Sequence, residues 1–129
     1  MEKDTFAEIL IVMTEIQYEN ICPLRTTLRV IGGKWKPLII KQLNGEVKRF
    51  GELQKLLPDI TKQMLTKNLR ALEGDGMLIR KVYAVVPPKV EYRLSERGVS
   101  IIPILENLAD WGRDQLEELC ESKLKKEED

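Results

Sequence analysis

Gln63, Thr66, Lys67 and Arg70 share one side of a helical projection, while Leu65, Leu69 and Leu72 fall within an arc of about 60° on the other. Thr61 is a good N-cap, with Ile60 before it and Leu65 beyond it in the arrangement of a hydrophobic staple, so a helix is predicted to start there. Its outward face is built of hydrogen-bond donors. That face suits base-pair edges: Gln63 fits adenine, Lys67 or Arg70 fits guanine, and Thr66 offers a hydroxyl and a methyl. Each good pairing is worth about 1–3 kcal/mol of discrimination. The same side chains serve equally well as phosphate contacts, which account for half or more of protein–DNA hydrogen bonds.

Other chemistries are poorly supplied. There is no histidine, and two cysteines, Cys22 and Cys120, cannot make a disulfide framework, a usual zinc constellation or a Cys-His nucleophile pair. Gly32-Gly33 precedes Lys34 without the spacing of a phosphate loop and reads as a turn. No catalytic residue, metal or cofactor is therefore expected. Cys22 has the one plausible second chemistry: it precedes Pro23 at a predicted helix N-terminus, with Arg25 close by, and both favour a reactive thiolate. The alternative for Cys22 is a small buried hydrophobe. Trp35 reads as a core aromatic, Trp111 as the same or as the lining of a dimer cavity, and Tyr83 and Tyr92 as packing within a hairpin. No stacking platform for single-stranded nucleic acid is visible.

A chain of 129 residues, 43% hydrophobic and 33% charged, fits one globular domain. No apolar run approaches the roughly 20 residues of a membrane span, and acids stand at the N-terminus where a secretory signal carries bases, so a cytoplasmic protein without a membrane partner is expected. Net charge is zero but unevenly spread. Residues 1–24 carry −4 and residues 98–129 carry −5, while residues 25–97 hold 16 Lys or Arg against seven acids, a net +9. A basic middle between acidic ends suggests a surface that meets a polyanion; the alternative is a solvated lysine-rich face.

The elements that must position these residues follow from periodicity. Phe6, Ile9, Leu10, Met13 and Ile16 predict an amphipathic helix over about 5–17, and Leu24, Leu28 and Ile31 a short one between Pro23 and Gly32. A third runs from about Lys34 through Leu38, Ile39 and Leu43 to the Asn44-Gly45 turn, with Pro37 in its first turn. Val47 to Arg49 suits a short strand, and Phe50, Leu53, Leu56 and Leu57 a helix that Pro58 ends. After the Thr61 helix, stopped by Gly74 and Gly76, Ile79–Val86 and Lys89–Leu94 form a hairpin tipped by Pro87-Pro88. In its second strand Val90, Tyr92 and Leu94 alternate with Lys89, Glu91 and Arg93. Ser95 caps a last long helix, bent near Pro103, whose tail KLKKEED should fray.

Short helices, a donor-faced helix and a basic hairpin, in that order, form the pattern of a winged helix-turn-helix, an α+β and mainly helical fold. The segments CPLRTTLRVIGGKWKPLIIKQL, RFGELQKLLPDITKQMLTKNLRALEGDGML and VVPPKVEYRLSERG, with ADWG downstream, closely resemble the HxlR-type transcriptional regulators, relatives of the MarR group, over roughly residues 22–115. The resemblance implies a homodimeric bacterial regulator that binds a double-stranded DNA operator and pairs through terminal helices, here about 5–17 and 98–119. It further implies Thr61, Lys62, Gln63, Thr66, Lys67 and Arg70 as the recognition helix and Lys81, Lys89 and Arg93 as wing contacts. Lys48 and Arg49 suit phosphate anchors. In some HxlR-type proteins a cysteine near Cys22 senses oxidants or electrophiles, so the resemblance allows a redox- or electrophile-responsive switch at Cys22. A winged-helix protein-interaction module and a small thiol oxidoreductase are the rival readings, and the oxidoreductase lacks a CxxC pair.

Overall fold

Residues 22–128 are described by a computed structural model; the helix predicted over 5–17 lies outside them. The order is α1 (Pro23–Ile31), α2 (Lys36–Gln42), β1 (Lys48–Arg49), α3 (Phe50–Leu56), α4 (Lys62–Gly74), β2 (Leu78–Tyr83), β3 (Lys89–Leu94), α5 (Glu96–Ser100) and α6 (Ile102–Glu128). Prolines occupy the first turns of α1 and α2, where no intrahelical donor is lost. The α3–α4 turn places Asp59 at φ 74°, a left-handed conformation that Asp tolerates better than most residues. The Thr61 hydroxyl then accepts a 3.1 Å hydrogen bond from the Met64 N–H, the expected N-cap of α4.

The core lies where the helices meet. Ile39, Ile40 and Leu43 at α2, Leu53 of α3, and Leu65, Leu69 and Leu72 of α4 are fully enclosed, and Trp35 joins them as the sequence predicts. Burying each large aliphatic contributes about 1.5–3 kcal/mol, which holds α4 by its leucine side and leaves its donors outward. Ile60 and Leu65 are both buried, consistent with the staple.

Three antiparallel strands form one sheet in the order β1-β3-β2. Lys48 pairs with Tyr92 and Tyr92 with Arg80, so one cross-strand row reads Lys48–Tyr92–Arg80. Arg49 and Lys81 both pair with Glu91, in a row on the opposite sheet face.

Several expectations need correction. Strand β2 ends at Tyr83 rather than Val86, because the chain must leave the ladder to turn through Pro87 and Pro88, which lack the N–H a ladder requires. Helix α2 starts at Lys36, two residues after the predicted Lys34. The single bent helix after Ser95 is two, α5 and α6, with the break at Ile101 and Pro103 inside the first turn of α6. Helix α6 continues through the tail to Glu128, where fraying was expected; Lys125 and Lys126 in its last turn oppose the negative end of its dipole. Trp111 is no core residue: it is 66% exposed.

Candidate nucleic-acid interface

Helix α4 presents Lys62, Gln63, Lys67 and Arg70 to solvent, with Thr66 half-buried between them. These five side chains line one shallow depression of about 420 Å³. The Thr66 hydroxyl donates to the Lys62 carbonyl at 2.7 Å, which leaves its oxygen able to accept but not to donate outward. Thr61 is spent on the cap. None of Lys62, Lys67 and Arg70 enters an ion pair with a described residue, so the face keeps its positive charge.

The structure divides the remaining predicted residues. Lys81, Lys89 and Arg93 stand on the sheet face that also carries Arg49, Tyr83 and Glu91. Lys89 Nζ lies 2.9 Å from the Glu91 carboxylate, the Tyr83 hydroxyl donates to Glu91 at 3.2 Å, and the ammonium groups of Lys81 and Lys89 lie 4.8 and 4.9 Å from the Tyr83 ring centroid. The hydrogen bond from Lys89 is the main reason the Glu91 carboxyl ionises below its ordinary range; the Tyr83 bond helps. Lys81 and Arg93 are exposed, whereas Lys89 is committed to Glu91. Lys48 departs from the phosphate-anchor expectation. Its side chain is only 13% exposed and its ammonium is paired with Glu46. Arg49 is exposed, and its backbone N–H donates to Glu52 at 3.1 Å, starting α3.

Cys22 is exposed and occupies the N-cap position of α1, against the reading of a buried hydrophobe. Cys120 is exposed on α6. Among the described residues no cluster of three or more His, Cys, Asp or Glu could hold a metal ion, and no helix is long and apolar enough to cross a membrane. Arg80 escaped the sequence reading, which assigns Tyr92 only to hairpin packing, a role its contact with the core supports; both lie on the sheet face beside α4 and line a second depression, of about 220 Å³, with Phe50, Thr66, Leu69, Arg70 and Glu73. A signal existed, because Arg80 falls between Leu78 and Val82 on one strand face and so interrupts an otherwise apolar row.

Residues 30–120 match the family described as HxlR-like helix-turn-helix. The chain belongs to the HxlR-like family. YdeP, an uncharacterized HTH-type transcriptional regulator of Bacillus subtilis (strain 168), is 48% identical over 101 residues, covering 76% of this chain and 79% of YdeP. The crystal structure of YtcD, another uncharacterized HTH-type regulator from that organism, is 49% identical with a TM-score of 0.71, covering 75% of this chain and 99% of that one. The redox regulator HypR in its reduced form is 45% identical with a TM-score of 0.73, covering 76% of this chain and 97% of HypR. The HxlR-like chain is thus a transcriptional regulator with a winged helix-turn-helix, in which α3 and α4 form the helix-turn-helix and β2–β3 the wing.

Proposed function

We propose that this HxlR-like regulator binds double-stranded DNA sequence-specifically as a homodimer, with α4 in the major groove and the hairpin alongside. The observation that carries the reading is the α4 face, where Lys62, Gln63, Thr66, Lys67 and Arg70 line one surface without a neutralising carboxylate among the residues that form it. Gln63 and Arg70 supply the base-reading donors, while Lys67, Lys81, Arg93 and Arg49 supply phosphate contacts.

Pairing is supported by α6. Leu108, Trp111, Leu116 and Leu119 are each 57–66% exposed along a helix of 27 residues, and Leu24 and Leu28 of α1 are 65% and 55% exposed. So much apolar surface at two helices favours burial between two copies. A two-fold dimer would set its α4 helices in successive major grooves about 34–36 Å apart, on an inverted-repeat operator. Cys22, exposed at the start of α1, is the candidate redox sensor, a role supported by likeness to HypR.

Gel-shift titration against genomic duplex fragments tests the reading. Selective retention of fragments sharing an inverted repeat is expected. No duplex binding, with capture of a protein instead, would favour the interaction-module alternative.

A further inference from the structure

We propose, resting on the DNA-binding reading above, that Thr66, Arg80 and Tyr92, with the base-reading Arg70 at the rim, form a socket for one DNA backbone phosphate where α4 meets the wing. These residues line the 220 Å³ depression over an apolar floor of Phe50 and Leu69. The socket adjoins the base-reading surface, because Thr66 and Arg70 line both depressions.

Register builds it. Arg80 and Tyr92 are direct cross-strand partners and therefore share the sheet face that meets α4. Glu73, one turn beyond Arg70, accepts from Arg80 Nε at 3.3 Å. That single contact fixes the guanidinium against α4 and leaves its terminal amino groups free to fork onto an oxyanion. The Tyr92 hydroxyl makes no hydrogen bond to a described residue and is free to donate; burial pushes its ionisation above the ordinary tyrosine range.

The donor set selects the ligand. The Arg80 guanidinium and the Tyr92 phenol offer donors beside the positive charge of Arg70, and the only carboxylate among the described lining residues, Glu73, is already engaged by Arg80. Guanine alone also offers two acceptors, but a complete base-pair edge adds a donor and lies in the groove that α4 would enter, whereas a phosphate presents acceptors only and borders the groove, so a donor set at the junction with the wing matches phosphate. It lies toward the C-terminal half of α4, about one turn past Thr66, suited to the strand that borders the groove.

Operator duplexes carrying one neutral methylphosphonate linkage at a time provide the test. The wild-type protein should lose roughly tenfold in affinity at one linkage per half-site, on top of a steep salt dependence. Arg80→Gln and Tyr92→Phe should each weaken operator and random duplex by the same factor, about 3- to 10-fold, and abolish the penalty at that linkage alone. Arg80→Lys should restore part of the linkage penalty. If the wild type binds with a steep salt response but both variants keep its full pattern of linkage penalties, the socket is wrong and the DNA-binding reading stands. A uniform weakening at every linkage, accompanied by a lower unfolding midpoint, would show a purely structural role and also overturn it. Absence of duplex binding by the wild type would overturn the DNA-binding reading itself, and the socket with it.

Discussion

Replacing Lys67 with Ala should flatten the salt dependence of duplex binding, and replacing Lys48 should not. Six cations at the candidate interface are free of ion pairs with described residues: Lys62, Lys67 and Arg70 on α4, and Arg49, Lys81 and Arg93 on the sheet. If half to two-thirds of them meet phosphates, a protomer neutralises about three or four and a dimer about six to eight. Counterion release then sets the slope of log K against log salt at about −5 to −7, a loss of roughly 10³- to 10⁴-fold between 50 and 200 mM salt. Lys67→Ala should reduce the slope by about 2 per dimer if Lys67 meets a phosphate, and Arg93→Ala likewise. Lys48→Ala should leave it unchanged, because that ammonium is already paired with Glu46 and its side chain is 13% exposed. Fluorescence anisotropy of a labelled duplex across a salt series reads all four proteins. A wild-type slope shallower than about −2, or a Lys48→Ala effect as large as that of Lys67→Ala, would refute the reasoning.

Gly98→Ala should destabilise the fold by about 1–3 kcal/mol, because a Cβ there would stand 2.0 Å from the Met77 carbonyl oxygen, backbone that cannot swing aside. Gly51→Ala, with nothing within 4 Å of the new methyl, should be neutral or stabilising by up to about 1 kcal/mol, and urea unfolding separates the two. Trp111→Glu with Leu108→Glu should convert the dimer to a monomer in analytical sedimentation at micromolar protein while preserving helical circular dichroism; a retained dimer would place the interface elsewhere. Cys22 should alkylate at neutral pH faster than Cys120, and Cys22→Ser should remove any change in operator affinity on oxidant treatment; an intact oxidant response in that variant would remove Cys22 as the sensor.

Much of the candidate interface was legible in the sequence because α4 is governed by local rules. The Thr61 cap, the leucine triplet and the donor face each lie within one helix, where a fixed angular period assigns every side chain to a side. The hairpin was legible as an element and incompletely so as a surface. The alternation of Val90, Tyr92 and Leu94 with Lys89, Glu91 and Arg93 agrees with the register, yet the position of Arg80 beside Tyr92 depends on how β2 pairs with β3. The commitment of Lys48 to Glu46 and of Lys89 to Glu91 is likewise set by side-chain conformation, which residue type alone leaves open. The placement of α5 is set by contacts that reach outside the helix. Ser95 accepts the Gly98 N–H and donates through its hydroxyl to the Gly76 carbonyl, tying the short α5 to the start of the wing. The extension of α6 to Glu128 contradicts a composition-based expectation: the charged tail has helix-forming Lys, Leu and Glu throughout.

The claim that α4 reads sequence is tested most directly by measuring operator and random-duplex affinities side by side for wild type, Gln63→Ala, Arg70→Ala and Lys81→Ala. Gln63→Ala and Arg70→Ala should lose about 1–3 kcal/mol of discrimination per recognised base pair, with altered preference confined to the positions each reads. Lys81→Ala should weaken both duplexes by the same factor and leave the preference intact. If all three variants weaken operator and random duplex equally, α4 makes no base-specific contact through these side chains and the account of sequence recognition is wrong.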